Sequence, residues 1–114
     1  RRFDHAKAVG ETLQWGLREF SDYPFVGEVR GRGLIAGIEL VKTKDPREPF
    51  DAQIGIAAYC AAACQELGLI VRNIGDTVAF CPPLIITDDQ VGELLGKFEA
   101  GLKKTVDWAQ SQIS

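Results

Sequence analysis

The sequence predicts an α+β domain in which helices pack on one face of a small, mostly antiparallel sheet. Three observations lead there. Segments of helical and of strand period follow one another in the order α-β-β-α-β-β-α. Each pair of strand-like runs is separated only by a short glycine-bearing turn, as in hairpins. The middle helical segment is built from small side chains, which let a helix lie close against a sheet. At 114 residues the chain fits one domain over residues 1–114, and such a domain buries roughly two-thirds of the surface its unfolded chain exposes.

The first helix is read from Phe3, Ala6, Val9, Leu13, Leu17 and Phe20, which recur at steps of three and four while the opposite face is polar. Ser21-Asp22-Tyr23-Pro24 ends it, because the residue before a proline is pushed out of the helical region. Residues 26–41 read as a β-hairpin with Gly31 and Gly33 marking its turn or a bulge, and 34–41 as the returning strand. The charged, proline-bearing stretch 42–50 reads as a surface loop. Asp51 is placed to cap the next helix and Gly68 to close it in the left-handed conformation. Ala57, Ala58, Ala61, Ala62 and Cys64 supply that helix's small side chains. Strands are expected over 69–73 and 77–81, joined by Gly75-Asp76, before Pro82-Pro83 blocks further pairing. Thr87 and Gln90 form a capping box for the last helix, Asp88 and Asp89 suit its first turn, and Val91, Leu94, Leu95, Phe98, Leu102 and Ala109 form its buried stripe.

A composition of 46% hydrophobic and 25% charged residues is that of an ordinary globular protein and excludes a fibre or a disordered tail. No run approaches the ~20 apolar residues that cross a bilayer, and no charged-then-apolar leader precedes the first helix, so no membrane partner and a cytoplasmic location are expected. A formal charge of −3 argues against a nucleic-acid surface, which needs a basic excess. Cys60, Cys64 and Cys81 show no metal-ligand spacing and read as buried free thiols. The chain has no methionine and begins Arg1-Arg2 within helical sequence, which leads us to expect a piece of a longer protein.

Arg72 is the candidate site residue. It stands alone at the end of an apolar strand, on a frame stiffened by the Gly-Asp turn, the Pro-Pro pair and the Thr87 cap. A guanidinium presents a planar fork that matches a carboxylate and stays charged at physiological pH, whereas a strand end is also an ordinary place for a solvated charge.

The run Gly68, Leu69 to Val71, Arg72, Gly75-Asp76, Thr77 to Cys81, Pro82-Pro83-Leu84 and Thr87 resembles the C-terminal small domain of class III, fold-type I aminotransferases dependent on pyridoxal phosphate. Val29-Arg30-Gly31-Arg32-Gly33-Leu34 followed by Gly37-Ile38-Glu39-Leu40 is similar to the hairpin of the same family. The match is nearest to the ω-amino acid:pyruvate branch, where the arginine at the Arg72 position grips the substrate carboxylate and swings aside for amines. Ornithine aminotransferase and dialkylglycine decarboxylase carry their arginine on the second strand, at the position of Ala79, which favours the ω-amino acid branch. The resemblance implies a fragment that binds substrate through Arg72 within an enzyme moving an amino group between an ω-amino acid or amine and a keto acid such as pyruvate. It also implies a large domain of the same enzyme as partner, a homodimer, and pyridoxal phosphate in the full-length enzyme but not on this fragment alone.

The cofactor requires a lysine to hold it covalently, an acid for its ring nitrogen and a phosphate cup. Lys7, Lys42, Lys44, Lys97, Lys103 and Lys104 lie on helix faces or in the charged loop, so no catalytic, cofactor-binding or metal-binding residue is assigned. His5 reads as a surface histidine, Arg30 and Arg32 as hairpin charges, Glu39 as solvent-facing, and Trp15 and Trp108 as partly buried packing residues or contacts to a missing domain. Two other readings stay open: a free-standing amino acid-binding or regulatory module without catalysis, and an oligomerisation domain in which Arg72 pairs with an internal carboxylate.

Overall fold

The computed structural model describes residues 2–83 and 86–113 without the side chains of residues 2–4 and 6. The expected packing of Phe3 and Ala6 and the place of Leu84 therefore lie outside the described residues. Helix α1 (Arg2–Arg18) runs into a 3-10 turn (Glu19–Asp22). Strands β1 (Val26–Arg32) and β2 (Ile35–Leu40) form the first hairpin, and β5 (Arg72–Ile74) and β6 (Thr77–Phe80) the second. Helix α2 (Ile56–Glu66) lies between the hairpins and α3 (Asp88–Ile113) ends the chain. The sheet order is β1-β2-β6-β5 with every neighbouring pair antiparallel, so the two hairpins join through β2 and β6.

Strand alternation decides which side of this sheet is covered. Ala36, Ile38, Leu40, Val78 and Phe80 point to one face and are buried against Val9, Leu13, Leu17, Ile56, Cys60, Phe98 and Leu102 of the helices. The helices therefore pack on one face, as the sequence predicts. The intervening residues, Ile35, Gly37, Glu39, Thr77 and Ala79, belong to the other face, where no helix lies among the described residues; Ile35 is 65% exposed.

Several local expectations hold in detail. The Thr87 N–H donates to Gln90 Oε1 at 3.0 Å and the Gln90 N–H to Thr87 Oγ1 at 3.2 Å, completing the capping box. Gly68 has φ +88°, and the Leu69 N–H reaches back to the Cys64 carbonyl at 2.9 Å, so the left-handed residue closes α2.

Other expectations are corrected. Asp51 caps a short 3-10 turn (Ala52–Ile54) by accepting from the Gln53 N–H at 3.0 Å, and α2 begins only after Gly55, whose φ of +66° breaks the path. The stretch 42–50 holds a two-stranded ladder, β3 (Thr43–Lys44) with β4 (Arg47–Glu48), and ends on buried Phe50, so the charged loop is pinned to the core. The strand expected over 69–73 starts at Arg72: Leu69 and Val71 pack against the core, Ile70 is 84% exposed, and only three residues find ladder partners on β6. Pairing on β6 stops at Phe80, one residue before the expected end; Cys81 then falls on the open side and is exposed, leaving only Cys60 and Cys64 buried.

The small residues of α2 serve a helix more than the sheet. A methyl group at Gly101 of α3 would sit 2.6 Å from Cys64 Sγ and 3.3 Å from the Cys64 backbone nitrogen, so α2 and α3 meet at van der Waals limits there. The Cys64 thiol, hydrogen-bonded to Cys60 and buried beneath this contact, is pushed well above the usual thiol range. Gly101→Ala is expected to cost about 1–3 kcal/mol by overpacking, although alanine favours helices. Gly92→Ala and Gly96→Ala, which would meet nothing within 4 Å, should stabilise slightly; urea midpoints of the three variants measure the contrast.

Candidate functional site

The open sheet face carries the candidate site, and strand register shows which residues share it. Arg72 is the Cα partner of Ala79, Ala79 of Gly37, and Gly37 of Arg30. These four residues form one row across all four strands. Because cross-strand partners point to the same side, the row places an arginine at each sheet edge and two of the smallest residues between them. The adjacent row on this face is Glu28, Glu39, Thr77 and Ile74.

The local frame for Arg72 is short and rigid. Gly75, at φ +57°, and Asp76 close the two-residue turn between β5 and β6, and the Asp76 carbonyl accepts from the Leu40 N–H at 2.8 Å, which ties the turn to β2. Burial, and then the nearby Glu39 charge, hold the Asp76 carboxyl above its usual range. Pro82 and Pro83 follow β6 directly and offer no N–H for a further ladder.

Two acids on this face are already engaged. Arg47, from the loop read as plain surface, donates to Glu28 at 3.2 Å and to Glu39 at 3.3 Å, and Arg30 donates to Glu28 at 3.1 Å. Hydrogen bonds from Arg47 and then Arg30 hold the Glu28 carboxyl below the usual range. Glu39 faces solvent as expected, though with a partner. Arg72 is different: it is exposed, and among the described residues no carboxylate lies within ion-pair distance of it. The internal pair that the oligomerisation reading requires is therefore not formed among those residues. Ile74, 65% exposed, and Ile35 give the same face an apolar part, so the surface is suited to being covered.

Among the described residues, Arg72 lines none of the five best-formed concavities. The largest of these, about 480 Å³, lies at the edge between the segment before β5 and the start of α3, and is walled by Leu69, Ile70, Phe80, Pro83 and Ile86 with Lys97 and Glu93 on α3. What the row can do by itself is present an exposed guanidinium, on a firmly held hairpin, beside a flat floor. The row itself, Arg30, Gly37, Ala79 and Arg72, holds no base, nucleophile or acid.

The described residues do not form a cradle for pyridoxal phosphate. None of the six lysines is buried; Lys97 is half-covered at the edge of the large concavity and the others are exposed. Among the described residues, no group of three or more His, Cys, Asp or Glu side chains is placed to hold a metal ion.

Sequence reasoning missed Gln14. It is 8% exposed, and its Nε2 donates to the carbonyls of Gly33 at 2.8 Å and Ile35 at 3.1 Å, locking α1 to the turn of the first hairpin. Its only signal is a polar residue between Leu13 and Leu17 on a helix. His5 is exposed but not idle, since Nε2 lies 2.9 Å from the Ile86 carbonyl. Trp108 is half-buried and stacks on Tyr59 at 4.1 Å, whereas Trp15 is 69% exposed, which corrects the expectation that it packs and leaves the other reading, a contact to a missing domain.

Comparison with known proteins agrees with this fold. Residues 2–102 match the model of a family described as aminotransferase class-III. The rice (Oryza sativa subsp. indica) protein named gamma-aminobutyrate transaminase 1, mitochondrial, is 43% identical over 102 residues, covering 90% of this chain and 20% of its own length. The omega transaminase from Pseudomonas jessenii, solved in complex with PMP, superposes with a TM-score of 0.91 at 42% identity, covering 96% of this chain and 24% of that one. A cofactor-free transaminase superposes with a TM-score of 0.93 at 31% identity. The chain thus spans about a fifth to a quarter of the length of the relatives it matches.

Proposed function

Because this chain belongs to the class-III aminotransferase family, we propose that it is the substrate-facing small domain of an ω-transaminase, an enzyme that moves an amino group between an ω-amino acid or amine and a keto acid such as pyruvate. The observation that carries the reading is Arg72. It is exposed without a carboxylate partner among the described residues, on the sheet face that the helices leave open. A permanently charged fork held on a hairpin is suited to a substrate carboxylate, which it can meet with two parallel charge-assisted hydrogen bonds.

The register supports the choice of branch. Residues 72 and 79 are direct partners on one face, so an arginine at either position would address the same region from neighbouring strands. With arginine at 72 and alanine at 79, the guanidinium comes from the edge strand, where it has room to fold away along the surface. That suits a donor range including amines with no carboxylate.

Pyridoxal phosphate, when bound in the complete enzyme, would supply the electron sink for amino transfer. Its lysine, acid and phosphate contacts are assigned to the remaining three-quarters of the protein, which would cover the open face of this domain. A homodimer and a cytoplasmic location belong to the same proposal; the rice relative carries a mitochondrial name, and fractionation of cells expressing the complete protein decides the compartment. The complete protein, loaded with pyridoxal phosphate and given β-alanine or an aromatic amine with pyruvate, is expected to form alanine. Failure with every donor, in protein that has bound the cofactor, would contradict the proposal.

A further inference from the structure

Arg47 reaches the open sheet face from the β3–β4 ladder and meets the row next to that of Arg72. Its Nη1 donates to Glu28 at 3.2 Å and to Glu39 at 3.3 Å, and its Nη2 to the Gly27 carbonyl at 3.2 Å. Glu28 also accepts from Arg30 at 3.1 Å, whereas the ion-pair partner of Glu39 among the described residues is Arg47 alone. Removing Arg47 would therefore leave Glu39 as the acid without a cation. Resting on the reading of Arg72 as the group that meets the substrate carboxylate, we propose that Arg47 is a positioning residue for that recognition: by engaging Glu39 it keeps this acid from capturing Arg72.

Arg72 and Glu39 lie two strands and one row apart on the same face. Strands about 4.8 Å apart and about 3.4 Å of rise per residue put their Cα atoms roughly 12 Å from each other. An arginine and a glutamate extended toward each other, with a hydrogen bond between them, cover that distance. The way between them is low, because Gly37 has no side chain and Ala79 only a methyl group, with Thr77 the largest residue beside them. The room that lets Arg72 fold away along the surface thus leads it toward Glu39. An unpaired carboxylate there would hold it folded away.

Charge acts in the same direction. Burial, and then the charge of Glu39, hold the Asp76 carboxyl above its usual range, so Glu39 already stands near a second acid. With Arg47 in place, Glu28, Glu39 and Asp76 face two engaged arginines; without it they share Arg30 alone, and Arg72 is the unpaired cation in the neighbouring row. All of these groups belong to this chain, so the competition exists whether or not the rest of the protein covers the face. A cover that excludes water strengthens it.

Arg47 also clips its loop to β1 through the Gly27 carbonyl. Substitution of Glu39 separates that mechanical role from the electrostatic one, because it removes the competing charge without restoring the clip.

The test compares kcat/KM for the half-reactions of β-alanine and of an aromatic amine in the complete, cofactor-loaded enzyme. Arg47→Ala should lower the β-alanine to amine ratio by about two- to fivefold, the scale of an exposed ion pair, with the amine reaction nearly unchanged. Arg47→Ala combined with Glu39→Gln should restore the ratio. Thr77→Glu, which keeps the clip and adds a carboxylate diagonally across the ladder from Arg72, should lower the ratio in the same way. Arg72→Ala is measured alongside: if it leaves the ratio unchanged, the carboxylate reading of Arg72 fails and the role of Arg47 falls with it. The role of Arg47 alone is overturned if Arg72→Ala lowers the ratio but Arg47→Ala does not, if Arg47→Ala slows both substrates equally, if Glu39→Gln restores nothing, or if Thr77→Glu has no effect.

Discussion

Phe98→Ala should destabilise the domain by about 3–5 kcal/mol, the range for removing a fully buried aromatic ring. Phe98 is 0% exposed, and its ring meets Phe20 edge-on at 5.1 Å and Phe80 edge-on at 4.9 Å. Those three rings come from α3, the turn after α1 and β6, so one side chain joins both ends of the chain to the middle of the sheet. Edge-to-face pairs add roughly 0.5–1.5 kcal/mol each beyond burial. A domain of ordinary stability has about 5–15 kcal/mol in total, so the variant loses a large share of it. In urea the midpoint should fall sharply with the slope nearly unchanged, because the surface exposed on unfolding stays similar. Phe98→Leu, which keeps most of the volume, should cost much less; equal losses for the two would mean that the ring contacts, and not the filled space, carry the stabilisation.

This core was legible in the sequence because period and burial coincide. Val91, Leu94, Phe98, Leu102 and Ala109 recur at helical spacing and are buried together, and the Thr87–Gln90 cap has a local mechanism that needs no tertiary contact. What escaped depends on contacts distant in the chain. Nothing near Arg47 announces that it will bridge Glu28 and Glu39, and nothing near Gln14 that it will meet a turn about twenty residues later. Strand β5 was misplaced for a related reason: Leu69 to Val71 are apolar enough for a strand, but β6 has partners only for Arg72 to Ile74.

In the complete enzyme, Arg72→Ala should weaken carboxylate-bearing substrates by roughly one to two powers of ten in kcat/KM for each charge-assisted hydrogen bond lost, since such bonds contribute about 1.5–3 kcal/mol. A simple amine never uses the fork, so its reaction should change little, or improve as the pocket widens. Arg72→Lys should recover only part of the loss, because an ammonium keeps the charge without the paired geometry. Moving the group across the ladder provides a sharper variant. Arg72→Ala combined with Ala79→Arg puts a guanidinium on the neighbouring strand of the same face, and should return part of the carboxylate activity while leaving less room for bulky amines.

Arg72 itself was legible as a lone charge in an apolar frame, but its surroundings were not. That Ala79, Gly37 and Arg30 stand in its row follows from the pairing of β2 with β6, which joins segments about forty residues apart. The sequence displays each hairpin alone; only the ladder shows that both arginines and the two small residues between them share one face.

The most direct test of Arg72 as the carboxylate-reading group is single-turnover kinetics of the two half-reactions in the complete enzyme, with β-alanine or pyruvate set against an aromatic amine, for the wild type and Arg72→Ala. Selectivity for the carboxylate substrates over the amine should fall by about one to two powers of ten or more, with the amine half-reaction nearly unchanged. Equal losses in both would mean that Arg72 holds the domain in place and does not read the substrate.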